Sequence, residues 1–98
     1  MSAEPFDARS AEAWGLVNRV LAASELLDAA IARATSIALN APIAVRQAKQ
    51  AIHRGLQMSL ADGLAFEIEA YNRLVPTRDR IEGVLAFGER RQPRFEGQ

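Results

Sequence analysis

The stretch TRDRIEGVLAFGERRQPRF, residues 77–95, places an apolar helix face with two glycines directly ahead of a cluster of arginines. Thr77 is a natural N-cap, because its hydroxyl can accept from a backbone N–H that the first turn leaves unpaired. Ile81, Val84, Leu85 and Gly88 share one face of the helix that follows, and Pro93 prevents much continuation. Such an element packs on one side and presents charge on the other. From residue 73 onward, Arg73, Arg78, Arg80, Arg90, Arg91 and Arg94 stand against Asp79, Glu82, Glu89 and Glu96. That excess of two suits a salt-bridged helix end as well as a phosphate contact.

Working back toward the N-terminus, helix signals dominate. Ser59 with Asp62 forms a capping-box arrangement, and Leu60, Leu64, Ile68, Tyr71 and Val75 line one face before Pro76 breaks the run. Pro42 suits the first turn of a helix over about 42–54, whose inner positions are Val45, Ala48 and Ile52 and whose end is Gly55. Ser24 is the expected cap of the preceding helix, with Glu25 and Asp28 in its first turn, a stripe of Leu27, Ile31, Ala34 and Ala38, and Asn40 at its end. Asp7 caps a short helix through ARSAEAW, with Gly15 as its left-handed stop. LVNRVL, residues 16–21, is the one β-like run. The expected fold is all-α, about five helices over residues 1–98 with one short extended piece.

Composition narrows the function. The 98 residues carry twelve basic and twelve acidic side chains, so no global field draws the chain to nucleic acid or membrane. There are no cysteines, which excludes disulfides and thiolate metal sites and fits a cytoplasmic protein. His53 is the single histidine, and no carboxylates cluster at ligand spacing, so no metal site is expected. Glu67 and Glu69 lie two apart on a helix and face different directions. No phosphate loop or nucleophile elbow is present, and no catalytic residue is assigned.

The three segments FDARSAEAWGLVNRV, APIAVRQAK with Lys49, and the stretch at 77–95, in this order and at this spacing, resemble the crotonase (enoyl-CoA hydratase/isomerase) superfamily. The matching positions at the end are Thr77, Asp79, Glu82-Gly83, Ala86-Phe87, Glu89-Arg90-Arg91, Pro93 and Phe95. The resemblance covers about residues 4–97 and implies the C-terminal helical region of that fold, a trimerisation and lid element, without its ββα spiral. The oxyanion hole and catalytic glutamates of the family belong to the spiral half, so this chain by itself is expected to be inactive. Met1-Ser2-Ala3-Glu4-Pro5 corresponds to a mid-chain turn of the family, with Ala3 where glycine is usual.

Two ligand-contact positions carry over from the resemblance. Tyr71 corresponds to an aromatic near the bound thioester, and Arg90 to a basic residue approaching the CoA nucleotide. The implied ligand is an acyl-CoA thioester as substrate, with no tightly bound cofactor. The implied partner is another copy of the chain or a crotonase N-terminal half. The alternative is a free-standing helical interaction module that self-assembles or pairs with a full-length relative.

Overall fold

In the computed structural model, residues 3–98 are described. They form α1 (Ala8–Ala13), α2 (Leu26–Ala38), α3 (Pro42–Gly55), α4 (Leu60–Asn72) and α5 (Arg78–Glu89), with no strand among the described residues. The all-α expectation therefore holds. The chain divides into two compact units, Met1–Arg33 and Ala34–Gln98.

In the first unit, Asp7 accepts from the Ser10 N–H at 2.8 Å and caps α1, and Gly15 takes a left-handed φ of 74° at its end. Phe6 and Trp14 meet as a tilted pair, 5.1 Å between ring centroids and 58° between planes. LVNRVL is not a strand: its Val20 N–H is taken by the Glu12 carboxylate at 3.1 Å, and no segment among the described residues pairs with it. Ser24 is not the cap of α2. It sits in a turn closed by Glu25 N–H to Ala22 C=O at 2.9 Å, and the helix begins only at Leu26. Met1 and Ser2 lie outside the described residues, but Ala3 has φ 54°, the left-handed backbone for which glycine is suited.

In the second unit the caps follow the sequence closely. The Asn40 amide donates to Ser36 C=O at 2.8 Å and Ile37 C=O at 3.2 Å, satisfying carbonyls that the end of α2 leaves open. Pro42 opens α3. The Ser59 hydroxyl accepts from Asp62 N–H at 3.2 Å and donates to the Asp62 carboxylate at 2.7 Å. Thr77 accepts from Arg80 N–H at 3.2 Å to start α5. α3 ends at Gly55, as expected, without a left-handed backbone there. The close approach is on the other side of the contact: a Cβ on Gly63 would lie 3.5 Å from the Gly55 Cα where α3 meets α4, whereas one on Gly55 would meet open space. Arg54 of α3 covers the Phe66 ring of α4 at 5.2 Å.

The core differs from the one that periodicity selects. The buried apolar residues described are Ala11, Ala70 and Ala86, and no large side chain is fully buried. Ile52, Leu60, Ile68, Ile81 and Val84, all expected to face inward, are 65%, 81%, 63%, 54% and 65% exposed. Periodicity shows which side chains gain from burial, about 1.5–3 kcal/mol each for Val, Leu or Ile. It does not show what covers them.

Candidate functional site

Helix α5 packs on a face built from Asp79, Gly83 and Ala86, at i, i+4 and i+7, and not on the Ile81-Val84-Leu85-Gly88 face expected from apolar content. What covers this face is the chain's own C-terminal segment. Asp79 is only 4% exposed, and its two carboxylate oxygens accept from Glu96 N–H and Gly97 N–H, each at 2.8 Å. The Asp79 N–H in turn donates to Gln98 C=O at 3.3 Å. Two successive backbone donors thus converge on one carboxylate, and the chain beyond them turns through a left-handed Gly97, with φ 77°. Phe95 lies against Gly83, where an added Cβ would sit 3.6 Å from the ring. Of the two glycines in this helix, Gly83 receives Phe95, not a neighbouring helix, and Gly88 faces open space.

One helical turn further on, Glu82 holds the same segment. Arg91 grips it with both terminal nitrogens, at 2.6 and 2.9 Å, and Arg94 N–H adds a third bond at 2.8 Å. Arg91 also pairs through Nε with Glu89. The Arg91 guanidinium, with the Arg94 N–H behind it, holds the Glu82 carboxyl down to about 2. Because the folded value lies below the ordinary one of 4.5, the stabilisation from Glu82 is complete above that ordinary value and is lost as pH falls through about 2. Carboxyl-carbon NMR across an acid titration should therefore find Glu82 still ionised at pH about 3.5. A midpoint near the ordinary glutamate value would mean that the clamp does not form in solution.

Of the two carried-over ligand positions, Tyr71 is 56% exposed and lines two apolar cavities. One, of about 600 Å³, runs between α3 and α4 past Ile52, Leu56, Leu60 and Leu64. The other, of about 420 Å³, is walled by Ile43, Leu74, Val84, Phe87 and Phe95. Both volumes fall in the range of small-molecule sites. Arg90 lines neither cavity. It occupies the C-cap of α5 with φ 55°, a left-handed backbone that glycine would adopt without strain, and its side chain is exposed. Tyr71 and Arg90 are therefore not gathered into one pocket within this unit. Arg91, next to Arg90, is committed to Glu82 and Glu89.

The residues that organise this end of the chain, Asp79, Glu82 and Phe95, stood in the sequence as members of a signature without a stated job. The alternation in the tail was a usable signal: Pro93, Phe95 and Gly97 are partly buried while Arg94, Glu96 and Gln98 are exposed, the period of two expected of an extended segment lying on a surface.

Comparison with known proteins bears on the whole length. A family model described as enoyl-CoA hydratase/isomerase matches residues 1–98. Human mitochondrial methylglutaconyl-CoA hydratase is 42% identical over 101 residues, covering 99% of this chain and 30% of that protein. Bovine mitochondrial enoyl-CoA hydratase domain-containing protein 2 is 48% identical over 92 residues, covering 90% of this chain and 31% of its own length. Among solved structures, an enoyl-CoA hydratase from Bacillus anthracis superposes with a TM-score of 0.91 at 45% identity, over 93% of this chain and 35% of that one. An enoyl-CoA hydratase/isomerase from Mycobacterium paratuberculosis gives a TM-score of 0.93 at 32% identity, over 99% and 38%. The chain thus spans about a third of the length of these relatives, matching their C-terminal part. With the signature residues accounted for and the match running from end to end, the chain belongs to the enoyl-CoA hydratase/isomerase family.

Proposed function

We propose that these 98 residues serve as the C-terminal segment of an enoyl-CoA hydratase/isomerase acting on acyl-CoA thioesters of the fatty-acid type. In this reading the segment contributes oligomer contacts and part of the CoA pocket, while the oxyanion hole and acid–base carboxylates come from the rest of such an enzyme. The observation that carries it is the half-exposed Tyr71 on two apolar cavities, in a chain matched from end to end by the family. Tyr71 would face the thioester end of the ligand. Arg90 would meet a phosphate of its nucleotide through a charge-assisted fork. The compartment proposed from composition is the cytoplasm, although the human and bovine relatives carry mitochondrial in their names.

Arg90→Gly separates ligand binding from backbone strain. Glycine relieves the left-handed C-cap, so the variant should gain about 0.5–1 kcal/mol of stability. Loss of one charge-assisted phosphate contact should weaken CoA binding by roughly tenfold. Thermal melting and calorimetric titration with CoA read the two effects separately. A stabilised variant with unchanged CoA affinity would leave Arg90 as a cap and nothing more, and a wild-type chain that does not bind CoA would end the pocket reading. On the same reading, the 98-residue chain alone should hydrate crotonyl-CoA no faster than the uncatalysed rate.

A second reading, the self-assembling helical module, is favoured by one observation: Leu56, Leu60 and Phe87 are 78%, 81% and 87% exposed. Large apolar side chains left this exposed favour association with a partner surface. Sedimentation well above micromolar concentration should find a homo-oligomer, and a monodisperse monomer would count against both this module and the oligomer contacts proposed above.

A further inference from the structure

The C-terminal segment makes its bonds to one element in a way that separates it from the helices. Asp79 takes the Glu96 and Gly97 N–H groups and Glu82 takes Arg91 and the Arg94 N–H. Both carboxylates stand on the first half of α5, three residues apart. Pro93, Phe95 and Gly97 are the partly buried positions of the segment, and a Cβ on Gly97 would lie 3.5 Å from the Pro42 side chain at the start of α3. Phe95 is at the same time a wall of the cavity of about 420 Å³ that Tyr71 also lines. The segment therefore ties the first turn of α3 to the first turns of α5 and closes one side of that cavity.

We propose that residues 91–98 are a strap and that Asp79 is its latch, a positioning residue that sets Phe95 as a wall of the Tyr71 cavity. When Asp79 lets go, the end of the strap around Phe95, Glu96 and Gly97 leaves, while the Glu82 hold on Arg91 and Arg94 and the α3–α4 pair remain. The pair has its own closure, the glycine contact of Gly55 with Gly63 and the Arg54–Phe66 stack, neither of which involves the strap. Asp79 is suited to the task because it lies in the first turn of α5, where the positive helix end favours a carboxylate. Its two oxygens are used by the two backbone donors, which a neutral side chain of the same size cannot reproduce. The strap stands on these bonds and contacts alone; its consequence for an acyl-CoA ligand rests on the reading given above.

Amide hydrogen exchange on the full chain tests the latch directly, because it distinguishes local release from global opening. In the wild type, the Glu96 and Gly97 amides should be protected although they belong to no helix, and the Phe95 ring should show nuclear Overhauser contacts with the Gly83 α-protons. In Asp79→Ala, those two amides should exchange roughly ten- to a hundredfold faster and the contacts should vanish, with α3 and α4 amides keeping their protection. Asp79→Asn, which retains one acceptor, should recover part of the protection. Gly97→Ala provides the second route. It leaves Asp79 and every helix intact but strains the left-handed backbone directly behind the second donor, so it should loosen the same two amides even if Asp79→Ala fails to fold. Free-peptide exchange of Glu96 and Gly97 in the wild type would overturn the proposal. So would unaltered protection in Gly97→Ala, or loss of α3–α4 protection in step with the strap. None of these outcomes depends on CoA binding, so failure of the ligand reading would be seen separately.

Discussion

Asp79→Ala is expected to cost about 2–4 kcal/mol in denaturant unfolding, the largest loss of any single substitution on α5. The side chain is almost fully buried and accepts two backbone N–H groups at 2.8 Å, so truncation orphans two donors at once. Leaving a buried donor unpaired costs about 1–3 kcal/mol. The upper end is not reached, because the freed tail can turn both N–H groups to water, and the loss is then limited to what the strap contributes. Set against a typical total of about 5–15 kcal/mol for a domain, such a change is large. A shift in the urea midpoint below that of a surface control such as Glu67→Ala would show that the carboxylate carries no structural weight.

Ala86→Leu is the second large effect, and it is most informative beside Phe87→Ala. Ala86 is 1% exposed, with no room for three more carbons, whereas Phe87 next to it is 87% exposed. Overpacking a tight site costs about 1–3 kcal/mol. For a chain of this length that lowers the melting temperature by about 5–20 °C. Removing an exposed ring from an isolated chain should move it hardly at all. Melting both variants at low concentration, where no partner copy is present, checks the pair of expectations. If Phe87→Ala proved the more damaging, the Asp79-Gly83-Ala86 face would not be the packed one. If the Phe87 effect grew with protein concentration, the ring would be part of a self-association surface, as the second functional reading requires.

These two substitutions also mark where reading the sequence succeeds and where it stops. The caps at Asp7, Ser59 and Thr77 and the Asn40 amide at the end of α2 were legible, because each is a bond between a side chain and a backbone group no more than four residues away, and so was the opening proline of α3, whose missing N–H is not needed in a first turn. The cap expected at Ser24 failed for an equally local reason, a turn at Ala22–Glu25 that delays the helix. Family membership was legible too, since it lies in the order and spacing of three segments. The ligand role of Tyr71 and Arg90 came from that likeness, and the structure puts only Tyr71 on the cavities described.

The inner face of α5 was beyond the sequence. Apolar periodicity pointed to Ile81, Val84 and Leu85 because it ranks side chains by what they gain from burial, and large apolar groups rank highest. The contacts that decide the matter join residues far apart in the chain, Arg94 to Glu82 and Glu96 and Gly97 to Asp79, twelve to eighteen positions away. Local propensity carries no information about such pairings; the return of the tail over α5 sets them. By itself, then, the sequence determined helices, caps and family, all of which rest on short-range bonds or on the order of residues. Tertiary structure alone decided that an aspartate, a glycine and an alanine form the packed face of the last helix, because only the folded-back backbone supplies the two donors that make a buried carboxylate stable.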